Sequence, residues 1–269
     1  MSLYRSAVWF AKGLREYTKS GYESAAKDFV PDDLEVQVPG RAFLVTGGNS
    51  GIGKATATEI AKRGGTVHLV CRDQERAEGA KAEIIRESGN QNIFLHIVDL
   101  SDPKKIWKFA EDFKQEHKLN VLITVSSGGM LVQKLNINDL QSERTAFDGT
   151  MVYAQNKRQQ VVLTEHWARA HPTIHFSSMH PGWVDTPGVQ RSMPGFYSRL
   201  KDRLRSAAQG ADTVLWLALT PAATAQRSGC FFQDRKPVPT HLPLARTSSS
   251  LAEEEKLMEI LEELAHRFK

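Results

Sequence analysis

Tyr153 and Lys157 stand four residues apart in "MVYAQNKRQQVVLTEHWARA" (151–170). On a helix that spacing puts both side chains on one face, about one turn apart. A free phenol titrates near pH 10 and yields little phenolate at neutral pH. An ammonium beside it stabilises the phenolate and brings the pKa toward the working range, which makes the pair a candidate for giving or taking a proton. A tyrosine four residues before a lysine arises often by chance, so the weight lies in the surroundings. Ser126 and Ser127 close "NVLITVSS" upstream, and "HPGWVDTPG" follows downstream. No serine sits in a GxSxG elbow, which removes the usual signature of a serine hydrolase.

A second constellation lies earlier. "VTGGNSGIGKAT" places Gly47, Asn49, Ser50, Gly51, Ile52 and Gly53 between an apolar run and a helical stretch. Glycines there let backbone approach a pyrophosphate, and the helix start supplies N–H donors and positive potential. Gly48 to Lys54 also comes close to the GxxxxGK of a nucleoside triphosphatase. That loop needs Ser or Thr next to hold Mg²⁺. Position 55 is alanine, and Thr56 points about 100° away around the helix. The next apolar run ends in Val70-Cys71-Arg72. An acid at such a strand end binds the adenosine ribose of NAD, and an arginine takes the 2′-phosphate of NADP. Arg72, with Lys54 nearby, predicts NADP(H) as the preferred cofactor; Asp73 keeps NAD(H) open.

The elements that must position these residues follow from the pattern. Apolar runs at 41–48, 66–72, 92–100 and 119–127 predict strands, and the stretches at 53–65, 72–89, 101–118 and 151–170 predict helices. Ser101 or Asp102 caps the third of these helices, with Pro103 in its first turn. Alternation of strand and helix predicts an α/β fold with a doubly wound parallel sheet. "VPDDLEVQVPG" (30–40) reads as a linker. The expected division is therefore an N-terminal helical extension and linker (1–39), a Rossmann-like dinucleotide-binding and catalytic domain (40–247), and a C-terminal helix (248–269). That last helix is expected to dock Leu257, Ile260, Leu261 and Leu264, or to form a dimer contact.

The chain of 269 residues carries a net charge of +4, 41% apolar and 25% charged residues. The basic residues form no dense stripe with interleaved aromatics, so no nucleic-acid partner is expected. Two cysteines, Cys71 and Cys230, exclude a disulfide framework, and the nine histidines show no ligand spacing, so no metal is expected. No apolar run reaches the ~18–20 residues that span a bilayer. The N-terminal "SLYRSAVWFAKGLREYTKSGYESAAKDF" reads as a basic amphipathic helix. Packing on the protein's own body is the expected use, with contact to a membrane surface as the alternative. The expected location is intracellular, cytoplasmic or at a membrane surface; the oligomeric state is not predicted.

The TGxxxGxG spacing, the Tyr-x-x-x-Lys and "PGWVDT", in this order over about residues 40–235, resemble the short-chain dehydrogenase/reductase family. The resemblance implies an oxidoreductase that moves hydride between nicotinamide and a small lipophilic carbonyl or alcohol. It implies that Tyr153 is the proton donor, that Lys157 also holds the nicotinamide ribose, and that Ser127 (or Ser126) hydrogen-bonds the carbonyl oxygen. It further implies that Asp99 in "VDLSD" contacts adenine and that Pro181, Gly182 and Thr186 lie beside the nicotinamide. Asp99 read by itself is also a helix-capping acid. The 128–152 insertion resembles the retinol dehydrogenase subgroup and is expected in the substrate wall.

One part of the family pattern is missing. There the fourth strand ends in Asn-Asn-Ala-Gly, a long helix with an active-site Asn follows, and a fifth strand ends at the serine. Here "NVLI" and "TVSS" are joined directly at Ile123-Thr124, and Asn-Asn-Ala-Gly is absent. The absent piece amounts to one strand–helix unit, ~30 residues or more. Parallel neighbours need a crossover, so the sheet is expected either to close over the gap or to keep a groove with unpaired edges and exposed apolar surface. Two functions follow: the oxidoreductase, and a catalytically impaired form that binds nucleotide or a partner.

Overall fold

A computed structural model describes residues 3–269. Its elements in chain order are α1 (Leu3–Glu16), α2 (Lys19–Ala26), β1 (Ala42–Thr46), α3 (Gly51–Lys62), β2 (Thr66–Cys71), α4 (Gln74–Ser88), β3 (Ile93–Ile97), α5 (Pro103–Glu116), β4 (Val121–Val125), α6 (Gly149–Ala170), β5 (His175–His180), α7 (Pro187–Ser192), α8 (Pro194–Leu200), α9 (Ala207–Leu219), α10 (Pro221–Thr224), β6 (Phe231–Gln233), β7 (Lys236–Pro237) and α11 (Leu251–His266). Short 3₁₀ turns at Pro31–Leu34, Gly128–Val132 and Lys201–Arg203 complete it. Ser2, where the expected N-terminal helix begins, lies outside the described residues.

The strands form two sheets, β1-β2-β3 and β4-β5-β6-β7, parallel throughout except for the β6–β7 hairpin. This is the Rossmann-like α/β arrangement in two halves, and the sheet does not close over the gap. No ladder joins β1 to β4, and apolar surface shows at the break: Leu44 is 39% exposed and Val125 36%. Ser126 N–H bonds to β5, as does the Asn120 carbonyl. Backbone groups alternate along a strand, so those of Val121, Ile123 and Val125 face the open edge.

The helix α9 packs against both halves. Nine of the residues of α9 are buried. Ala211, Leu215 and Leu219 pack with Ile60, Leu69 and Ile84 under the first sheet, while Val214, Trp216 and Leu217 pack with Met179 and Phe232 under the second. The opposite face of the first sheet is covered by α5 through rings: Phe109 and Phe113 meet His68 and His96. None of the α5 residues is fully buried, because the covering is one layer of aromatics on one side only.

The N-terminal extension packs on the body. Val8 and Trp9 of α1 lie against Met130, Leu131 and Val161, and Tyr17 is completely buried. Among the described residues no helix is long and apolar enough to cross a membrane. The α11 helix buries Leu257 against Leu135 and Val162, with Leu261 beside them. The 128–152 segment contributes its first residues to the serine turn. Leu135, Ile137 and Leu140 then pack under α11, and residues 143–150 are exposed.

Candidate active site

The glycine turn has the geometry its sequence requires. Gly47 (φ 65°) and Gly51 (φ 53°) adopt the left-handed region, which costs glycine nothing. A Cβ on Gly53 would lie 2.5 Å from the Gly47 carbonyl oxygen, so only glycine lets α3 start this close to the turn. Gly53→Ala is therefore expected to push the turn open and weaken dinucleotide binding by roughly tenfold or more. A fluorescence titration with NADPH checks this, and an unchanged affinity would refute it.

Beside the turn lies a cavity of about 560 Å³. Its walls are Gly47, Asn49 and Ser50; Val70 to Asp73 with Arg76; Val98 to Ser101; and Gly188 with Arg191. Arg72 and Asp99 both line this cavity. Asp99 accepts hydrogen bonds from the Ser101 N–H (2.9 Å) and hydroxyl (2.8 Å). These bonds, with Arg72 nearby, hold its pKa below the usual carboxylate value. The cap of α5 is Asp102, so Asp99 does not serve as the helix cap. Asp73 is engaged as the cap of α4, accepting from Arg76 N–H at 3.0 Å. Lys54 is a correction: it pairs with Glu83 and is no part of the cavity wall. The second cation beside Arg72 is Arg76, one helical turn on, a spacing the sequence displays. Arg191 had no sequence signal.

Thr186 caps α7 by accepting from Val189 N–H (3.2 Å), and its methyl group lies 3.2 Å from where a Gly51 Cβ would stand. Gly51 and Ile52 open α3 at that contact. Pro181 lies outside the cavity wall, its carbonyl accepting from Arg205.

Ser127, Tyr153 and Lys157 form a separate cluster. Ser127 lies two residues past β4 and caps the 3₁₀ turn Gly128–Val132, its hydroxyl accepting from Gly129 N–H at 3.0 Å. The point where a Gly129 Cβ would stand is 3.3 Å from Ser127 Oγ and 3.8 Å from Tyr153 Cε1, so the two side chains border one small space. Ser126 is buried, and its hydroxyl donates to the Lys157 carbonyl at 2.9 Å, so Ser127 is the serine that borders this space. The Lys157 ammonium lies 5.6 Å from the Tyr153 ring centre. It donates to the Val125 carbonyl (3.0 Å) and to Gln160 (3.1 Å). The Val125 carbonyl is one of the open-edge groups, so the lysine caps an acceptor that a neighbouring strand would otherwise take. Burial pushes the Lys157 pKa below the ordinary lysine value.

Sequence reasoning also missed Tyr17. Its ring lies 2.9 Å from the Cβ position of Gly128, next to the candidate serine, and it packs edge-on to His180 at 4.3 Å between centroids. The extension therefore braces the serine turn.

Residues 41–147 match the family described as short chain dehydrogenase. The dehydrogenase/reductase SDR family member 12 of Bos taurus is 75% identical over 317 positions, covering 100% of both chains. The chain belongs to the short-chain dehydrogenase/reductase family. At 269 residues against 317, this short-chain dehydrogenase/reductase is a shortened form. Human retinol dehydrogenase 11 is 30% identical over 238 residues, 69% of this chain and 74% of that protein. The solved L-sorbose reductase from Gluconobacter frateurii, complexed with NADPH and L-sorbose, shares the fold. Its TM-score is 0.54 at 17% identity, covering 73% of this chain and 95% of that one. The family is one of oxidoreductases that use NAD(P)(H).

The residues present fit such a dinucleotide. The glycine cradle admits no side chain at position 53, and the adjoining cavity is rimmed by Arg72, Arg76 and Arg191.

Proposed function

We propose that this chain is an NADP(H)-dependent oxidoreductase interconverting a carbonyl and an alcohol on a small lipophilic molecule. The observation that carries the reading is the shared space at Gly129, bordered by Ser127 and Tyr153 with the Lys157 ammonium behind the ring. When bound, the nicotinamide supplies or accepts hydride. The chain's own part is to hold the substrate oxygen with the Ser127 hydroxyl and to move a proton at Tyr153 Oη. The proton goes to the oxygen in reduction and returns from it in oxidation. Gly47, Asn49, Ser50, Gly51, Ile52 and Gly53 would hold the phosphates, Asp99 the adenine side, and Arg72 the 2′-phosphate, with Pro181 and Thr186 toward the nicotinamide. The aromatic groups Trp9, Tyr17 and Trp183 around the serine turn, and the likeness to retinol dehydrogenase 11, support an apolar substrate.

A second reading is favoured by one contact. The Lys157 ammonium is engaged by Val125 and Gln160, beside a sheet edge that lacks a neighbour. A chain so arranged binds nucleotide and turns over slowly, since a 1 Å displacement in such a site costs about 10²-fold in rate.

The test is NADPH consumption with a panel of apolar aldehydes and ketones, run beside a binding titration. Turnover is expected, and Tyr153→Phe is expected to remove it by about 10²–10⁴-fold. Full activity in Tyr153→Phe would show the proton donor to be misassigned. Binding without turnover by the unaltered chain would favour the second reading.

A further inference from the structure

The short helix α7 is seated on the phosphate turn. Thr186 caps it and touches Gly51, and Gly188 in its first turn and Arg191 near its end reach the cavity wall. Arg72 and Arg76 approach the same cavity from the end of β2 and the first turn of α4. Among the described residues, none of these three arginines makes an ion pair. The one hydrogen bond of the Arg191 side chain is Nε to the Pro187 carbonyl, 3.3 Å, within its own helix. The acids in the wall do not neutralise them by direct contact. Asp73 accepts from Arg76 N–H, and Asp99 accepts from Ser101. Three arginines thus line one cavity, and among the described residues none of their guanidiniums is matched to an acid. Each fork matches a phosphate, whereas a neutral ribose offers nothing to balance them.

We propose that Arg191 binds the 2′-phosphate of NADP(H), gripping it from α7 while Arg72 and Arg76 hold it from the end of β2 and the start of α4. This rests on the NADP(H) reading above and adds a specificity residue to it from a distant part of the chain. It also gives α7 a mechanical role. The helix continues directly from the 181–186 loop, so a phosphate held by Arg191 fixes that loop across the nucleotide. An adenosine without the phosphate leaves α7 untethered at its far end.

The experiment is a fluorescence titration of the full chain with NADPH and with NADH, for the unaltered protein, Arg191→Gln, Arg191→Lys and Arg72→Gln. Arg191 is exposed on a surface helix, and thermal unfolding of each variant verifies that the fold is intact. Arg191→Gln is expected to weaken NADPH binding about 10- to 100-fold, the range for a hydrogen bond to a charged group. NADH binding should stay within about twofold, and Arg191→Lys should recover part of the loss through its point charge. An equal loss for NADPH and NADH would overturn the inference, because Arg191 would then hold the shared pyrophosphate. No loss in Arg191→Gln, with Arg72→Gln still erasing the preference for NADPH, would overturn the inference alone. An unaltered chain that binds NADPH no tighter than NADH, or binds neither, would overturn the NADP(H) reading and the inference with it.

Discussion

Replacing Arg205 by alanine is expected to destabilise the chain by about 3–5 kcal/mol. The Arg205 side chain is 2% exposed and pairs with Asp234 at 2.6 and 3.0 Å. The same guanidinium donates to the carbonyls of Glu16 (2.6 Å), Thr18 (3.3 Å) and Pro181 (3.3 Å). One side chain therefore ties the turn between α1 and α2, the 181–182 loop and the β6–β7 hairpin together. Gly182 (φ 84°) lies directly against it, and a Cβ there would overlap the guanidinium. Its loss leaves a buried carboxylate unpaired and three carbonyls without this donor, and both effects destabilise. Domains are stable by only about 5–15 kcal/mol, so a large share of the total is at stake. Urea denaturation followed by tryptophan fluorescence reads it, since Trp183 packs on Tyr17 beside this junction. A loss below about 1 kcal/mol would show that the cluster does not hold the extension. Asp234→Asn in the Arg205→Ala background should restore part of the stability, because it removes the stranded charge.

Lowering the pH from 7 to 5 is expected to loosen α5. His68 is 8% exposed, and its Nδ1 lies 2.9 Å from His96 Nε2. Its other nitrogen is buried without a partner, and His117 packs on the ring edge at 4.8 Å. Burial first, and the neighbouring His96 and His117 second, lower the His68 pKa to about 4. Burial and His117 also lower that of His96. The sign follows from proton binding. Above about pH 6.5 both the docked and the released state carry neutral rings, and pH has no effect. Between about 6.5 and 4 the released state binds the extra proton, so docking weakens as pH falls. For His68 alone the loss at pH 5 is about 2 kcal/mol. Amide exchange of residues 103–116 at the two pH values, corrected for intrinsic rates, measures it. His68→Phe should flatten the dependence, since Phe94 and Phe113 already provide aromatic neighbours. If the variant keeps the same slope, His68 is not the group responsible. Because α5 directly follows the Val98–Ser101 wall of the cavity, the affinity for NADPH is expected to fall in the same pH window.

Much of this protein is legible without coordinates. The glycine turn, the strand–helix alternation, the Asp102 cap and the one-turn spacing of Tyr153 and Lys157 all depend on residues close in sequence. Backbone sterics and the helical repeat fix such relations locally. The direct junction at Ile123-Thr124 signals a missing strand only against the family pattern that the chain resembles, since the run itself is a locally regular strand. Whether the sheet would close or stay divided was not legible. The outcome depends on α9, which buries one side in each half and anchors them both. Nor could the sequence say that Lys157 turns to the Val125 carbonyl, that Tyr17 braces the serine turn from the N-terminal extension, or that Arg191 lines the same cavity as Arg72. Those partners are 32 or more residues apart, and their meeting is decided by packing of the whole chain, to which no local periodicity corresponds.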